Sequence, residues 1–184
     1  MSNFLGSLHT LTYCRNGKEA ARTGITYSSK LKGTCAIEDE TAPEKAYDME
    51  VDGILYLVNA DAPQTVSVVR NEEKKYSGEV VIPSQVTYNG STYQVTAIGP
   101  MAFYECNALT SVSIPSSVTS LGVLSFTACP ALAKIYCRSN VPPTLYQDVF
   151  DATVLKNATL YVPAGCKDVY STASKWKEFI HIEE

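Results

Sequence analysis

One unit is written twice between residues 95 and 138: V-T-A-I-G-P-M-A-F-Y-E-C-N-A-L-T-S-V-S-I-P, then V-T-S-L-G-V-L-S-F-T-A-C-P-A-L-A-K-I-Y-C-R. Ile98 and Leu121, Gly99 and Gly122, Phe103 and Phe126, Cys106 and Cys129, Leu109 and Leu132, and Val112 and Ile135 are each 23 positions apart. Six matches at one offset are not a chance pattern. A unit this short cannot bury its own apolar face until a neighbour stacks on it, so the period predicts a solenoid of stacked coils.

The period also assigns roles within the unit. Val112 and Ile114 lie two apart and so share one face of a strand, as do Ile135 and Cys137. Both pairs are expected to face the interior, with Ser111, Ser113, Lys134 and Tyr136 facing out. Gly99 and Gly122 are placed at a tight corner, where a side chain would be in the way. Phe103 and Phe126 are expected to stack as an aromatic rung about 4.8 Å apart, the spacing of neighbouring strands. Helical turns are expected around Pro100 to Tyr104 and Val123 to Thr127. A third, drifted unit follows: an extended Pro142-Pro143 approach, Phe150 placed 24 after Phe126, and a strand over Ala158 to Pro163.

Outside the repeat, residues 1–45 are polar and aperiodic, with a strand near Gly24 to Ser28 and a linker at Glu38 to Pro43 as the readable parts; weak order is expected there. From residue 46 the pattern changes. Met49-Glu50-Val51, Asp52-Gly53 and Ile54 to Val58 read as strand, type I′ turn and strand, and Thr65 to Val69 as a third strand. This sheet over 46–78 is expected to cover the first coil. The repeats run over 79–163, interrupted by a second hairpin at Val86 to Tyr93 around Asn89-Gly90. Residues 164–184 carry Val169, Tyr170, Trp176, Phe179 and Ile180 at helical spacing, the composition of a closing lid.

A net charge of −4 with 18% charged residues and no basic run argues against nucleic acid or an anionic membrane surface as partner. No run of 18 apolar residues exists, so no transmembrane segment is expected. The first residues do not read as a signal peptide, because His9, Arg15, Lys18 and Glu19 interrupt any apolar stretch. Either the chain is cytoplasmic, or the exported product begins upstream of this sequence. The six cysteines, Cys14, Cys35, Cys106, Cys129, Cys137 and Cys166, form no C-x-x-C pair, so a zinc site is not expected. A Cys106–Cys129 disulfide is geometrically open to neighbouring coils. The favoured reading is a buried free thiol filling the same narrow place in each coil.

The tract Ile98-Gly99, Ala102-Phe103, Cys106, Leu109-Thr110-Ser111-Val112 and Ile114-Pro115 resembles the bacterial BspA-type leucine-rich repeat, I-G-x-x-A-F-x-x-C-x-x-L-x-x-V-x-I-P. The Asp52-Gly53-Ile54 start, Pro142-Pro143, and the stretch from Tyr161-Val162-Pro163-Ala164-Gly165 through Tyr170 to Trp176, Phe179 and Ile180 look like segments that flank such repeats in gut bacteria. The resemblance covers about residues 47–184. It implies a β-rich α/β fold, a short right-handed leucine-rich-repeat solenoid with an N-terminal β-hairpin cap and a C-terminal helical cap. It also implies a secreted or cell-surface protein, some relatives adhering to host or bacterial surfaces, with no shared catalytic residue and no cofactor.

Catalytic constellations are thin. Cysteine chemistry needs a thiolate beside an imidazole, and Cys166 with His181 is the one pairing to test; paired carboxylates and a phosphate loop are lacking. Asn89-Gly90-Ser91 and Asn157-Ala158-Thr159 match the N-glycosylation pattern by chance. The sharper candidates are outward strand rows. Aligning the I-P and V-P ends places Val81, Ser113, Tyr136 and Tyr161 in one row, with Glu79, Ser111, Lys134 and Thr159 in the next. Neighbouring tyrosines offer large contact area at low entropic cost, although exposed tyrosine also simply suits a strand. The function expected is a non-enzymatic module binding a protein or glycan on a host or bacterial surface; the alternative is a structural spacer without a ligand.

Overall fold

Two Xaa-Gly turns fold the first hairpins. In the computed structural model, which describes residues 47–184, Met49–Val51 (β1) and Ile54–Val58 (β2) pair antiparallel, Val51 opposite Ile54. Asp52 and Gly53 take φ of 51° and 79°, the two positive values a type I′ turn requires. Thr65–Val68 (β3) continues antiparallel on β2. After Gly78–Val81 (β4), Gln85–Tyr88 (β5) and Ser91–Ile98 (β6) repeat the device around Asn89 and Gly90, at φ 48° and 78°. The strand expected at Gly24 to Ser28 and the linker before Pro43 lie outside the described residues.

The chain goes on through Leu109–Ile114 (β7), Ser120–Leu121 (β8), Lys134–Cys137 (β9), Thr144–Leu145 (β10), the helix Ala152–Asn157 (α1), Thr159–Tyr161 (β11), the helix Lys167–Thr172 (α2), a 3-10 turn at Trp176–Glu178 and His181–Glu183 (β12). The fold is therefore β-rich with few helices. One sheet has the order β1-β2-β3-β6-β8-β10, with β5 also on β6; the other, β12-β11-β9-β7-β4, is parallel throughout. The sequence period is the strand register: Ile98 pairs with Leu121 and Val112 with Ile135. Between β4 and β7 the offset is larger, Val80 pairing with Val112, because the β5–β6 hairpin is inserted there.

Between the sheets lies the core. Val112, Ile114, Ile135, Cys137 and Leu160 are buried as expected. Phe103, Phe126 and Phe150 stack with ring centroids 4.9 and 5.4 Å apart and planes within 6° and 14°. Each buried ring contributes about 1.5–3 kcal/mol of apolar transfer. The glycines meet their neighbours' backbone: a Cβ on Gly122 would lie 2.5 Å from the Pro100 nitrogen and one on Gly99 2.9 Å from the Val68 carbonyl. Close approach of one unit to the next, rather than a special φ, excludes a side chain here.

Two expectations need correction. The segments around Phe103 and Phe126 are tight turns, not helical turns. Met101, Glu105, Leu124 and Ala128 have positive φ, which breaks a helical ladder. Their amides serve the next unit instead: Met101, Phe103 and Glu105 N–H donate to the carbonyls of Val123, Ser125 and Thr127. The closing segment differs too. Tyr170, Trp176 and Phe179 do pack inward, Trp176 and Phe179 against Phe150, and Trp176 Nε1 donates to the Pro143 carbonyl at 2.8 Å. Val169 and Ile180, however, are exposed, and the chain ends in β12, parallel to β11. Helix α1, its N-terminus capped by Asp151 Oδ1 on Val154 N–H at 2.9 Å, has no counterpart in the sequence reading.

Candidate binding surface

Parallel register lines up the outward side chains. Val81 is opposite Ser113, Ser113 opposite Tyr136, and Tyr136 opposite Tyr161; Glu79, Ser111, Lys134 and Thr159 line up likewise. The structure thus brings together all eight residues in the two rows read from the sequence. It also lengthens the rows, because β12 sets Glu183 beside Tyr161 and His181 beside Thr159. Five strands make the sheet about 19 Å across at strand spacing.

Exposure sorts the rows. Val81, Glu79 and Lys134 are exposed, and Ser113, Tyr136, Tyr161 and Thr159 are half-buried. Ser111 is the exception, buried at 7% exposure; its short side chain sits between the longer Glu79 and Lys134 in the ladder. It cannot offer the contact area expected of it.

The two tyrosines are the most organised feature. Their rings stack at 4.8 Å with planes 17° apart, and the Arg138 guanidinium sits over the Tyr136 ring at 5.1 Å from its centroid. A cation over a partly exposed ring adds about 0.5–1 kcal/mol. Arg138, directly after β9, carries no signal in the sequence because it lies beyond the alternating strand positions. β12 was missed because His181-Ile182-Glu183 is short and mostly exposed.

Among the described residues, the cysteines of the repeat serve packing. Cys106, Cys129, Cys137 and Cys166 are free and buried. Burial pushes Cys129 up to about 12 and also raises Cys106 and Cys137, so these groups stay protonated at neutral pH and are poor nucleophiles. Cys129 Sγ donates to the Phe103 carbonyl at 3.0 Å, tying one unit to the next. Tyr170 Oη donates to the Ser139 carbonyl at 2.7 Å and lies 3.1 Å from Cys137 Sγ. Cys166 Sγ contacts Asn140 Oδ1 at 3.8 Å, while His181 is exposed on β12. Among the described residues no cluster of His, Cys, Asp and Glu could hold a metal, and no helix is long and apolar enough to cross a membrane.

With strands in register at the repeat period and phenylalanines stacked between them, comparison with known proteins becomes decisive: the profile of the BspA type leucine-rich repeat region (six copies) matches residues 79–176, just over half of the chain. The chain belongs to this family. Its repeats point to a protein-interaction module, in a family that is generally non-enzymatic. A leucine-rich repeat protein from Bacteroides capillosus is similar over 63% of this chain and 98% of its own structure, at 24% identity and a TM-score of 0.47. A leucine-rich cell surface protein from Faecalibacterium prausnitzii is similar over 64% of this chain and 37% of its own, also at 24% and 0.47. The leucine-rich repeat protein of T. pallidum is similar over 74% and 81%, at 19% identity and a TM-score of 0.40. A comparison with curated proteins gave no match.

Proposed function

We propose that this chain is a non-enzymatic binding module of a secreted or surface-exposed bacterial protein, contacting its ligand through the outer face of the parallel sheet. The reading takes residues 46–184 as a short right-handed solenoid, with the β1–β3 sheet sealing one end and the segment from α2 onward sealing the other. The observation that carries the reading is the stacked Tyr136–Tyr161 pair, held in register and flanked by Lys134 and Arg138. Stacking fixes both rings before a ligand arrives, so little side-chain entropy is lost on contact. Glu79, Val81, Ser113 and Thr159 form the surround, and Ser111 is left out on account of its burial. Family membership supports an interaction role; adhesion to a host or bacterial surface is the biological setting we infer.

The test is an array of host and bacterial surface proteins and glycans probed with the wild type and with Tyr136→Ala plus Tyr161→Ala. Loss of at least ten-fold in binding, with the thermal midpoint kept within a few degrees, is the expected result. Binding that survives the double change would move the contact surface elsewhere. An array without any hit would favour a spacer without a ligand.

A further inference from the structure

The two sheets end unequally on the N-terminal side. One runs two strands beyond β3, through β2 to β1, whereas the parallel sheet stops at β4; among the described residues no strand pairs with the outer side of β4. Gly78 and Ile82 N–H donate inward to the carbonyls of Ala108 and Ser113, at 2.7 and 3.0 Å. Along a parallel strand the backbone groups of successive residues point to opposite sides. The N–H and C=O of Glu79 and Val81 therefore face outward, and Val81 is 71% exposed.

Between this edge and β2 lies a cleft of about 360 Å³. Tyr56 lines it, fully buried as a side chain, and its hydroxyl lacks a hydrogen-bond partner, an orphan group that costs stability unless something supplies one. Glu50, Asp52 and Glu79 line the same cleft against Lys74. The other nearby ammonium, on Lys75, is turned to the Tyr104 carbonyl at 3.1 Å and to Glu105.

We propose that this cleft receives an extended segment of a second polypeptide carrying basic side chains, added as a strand on the outer edge of β4. Main-chain bonds to Glu79 and Val81 supply affinity, as in strand addition generally, and the excess of carboxylates selects Lys or Arg on the incoming segment. A second copy of this chain fits poorly, because edge-to-edge pairing of two β4 strands brings like carboxylates together. The site shares Glu79 and Val81 with the far end of the tyrosine rows but uses the outward backbone edge of β4 rather than the ring pair, and it does not rest on Tyr136 or Tyr161.

The experiment titrates the full ¹⁵N-labelled chain with the peptide acetyl-TKVRVKT-amide and follows the amides of residues 79 and 81 by chemical shift and hydrogen exchange. Binding is expected to shift both and slow their exchange more than ten-fold. Affinity is expected to fall at least ten-fold for the peptide N-methylated at alternate residues. A similar fall is expected for Val81→Pro, which removes an outward N–H and leaves the inward bonds intact, and for Glu79→Lys. The double tyrosine variant is expected to bind this peptide like wild type, which separates the two surfaces. Unchanged amides at millimolar peptide, equal binding of the N-methylated peptide, or concentration-dependent self-association through residues 79 and 81 would overturn the proposal.

Discussion

Two aromatic stacks follow the repeat, one on each side of the parallel sheet. Inside, Phe103, Phe126 and Phe150 are spaced at 4.9 and 5.4 Å; outside, Tyr136 and Tyr161 are spaced at 4.8 Å. The spacings are close because one stacking of units sets both, through strand register for the tyrosines and through turn-to-turn hydrogen bonds for the phenylalanines. What differs is water. The inner rings are buried and tie three units into one core, while the outer pair keeps part of its surface exposed. Equal geometry thus carries unequal energy, and only the outer stack is free to serve a partner.

The sharpest way to break this contrast is on the inside. Phe126→Ala removes the ring that touches both neighbours and is expected to cost about 3–5 kcal/mol, read as a lower urea midpoint at unchanged slope. A loss below about 1 kcal/mol would mean the rung does not hold the units together. Next comes Gly122→Ala, whose Cβ would meet backbone atoms of Pro100 and Gly99 at 2.5 and 2.6 Å. Backbone yields less than a side chain, so about 1–3 kcal/mol or more is expected.

A smaller effect comes from pH. The thiols of Cys106, Cys129 and Cys137 are raised by burial, Cys129 to about 12. Below the unfolded thiol pKa, about 8.5, folded and unfolded states carry the same protons and stability does not respond. Above it the unfolded chain releases protons that the folded chain keeps, so stability falls as pH rises through 9 and beyond. Denaturation midpoints measured between pH 7 and 10.5 are expected to show that decline, and Cys129→Ala to shallow its slope. The smallest change is expected outside: Tyr136→Ala plus Tyr161→Ala is predicted to cost at most about 1.5 kcal/mol, the scale of one aromatic pair. A larger loss would make the outer stack a structural element like the inner one.

Much of this was legible because repetition turns sequence distance into spatial adjacency. Offsets of 23 gave the pairing of Val112 with Ile135, and aligned strand ends gave the opposition of Tyr136 and Tyr161. The Asp52-Gly53 and Asn89-Gly90 turns were readable because few residue pairs tolerate two positive φ values. Other features left no such mark. The left-handed conformations at Met101, Glu105, Leu124 and Ala128 accompany hydrogen bonds to neighbouring units, not residue types that prefer them. β12 exists because β11 offers an edge, not because His181-Ile182-Glu183 has a strand pattern. The burial of Ser111 depends on what lies beside it in the ladder, which alternation along its own strand cannot report.

The amides that Met101, Phe103 and Glu105 lend to Val123, Ser125 and Thr127 are matched one step on, where Phe126 N–H donates to Val149. Each layer presents upward what the layer below it also presents. An internal duplication or deletion of a whole period would therefore meet a complementary face rather than a broken one, and copy number becomes a dimension along which such a gene can drift while its product still folds.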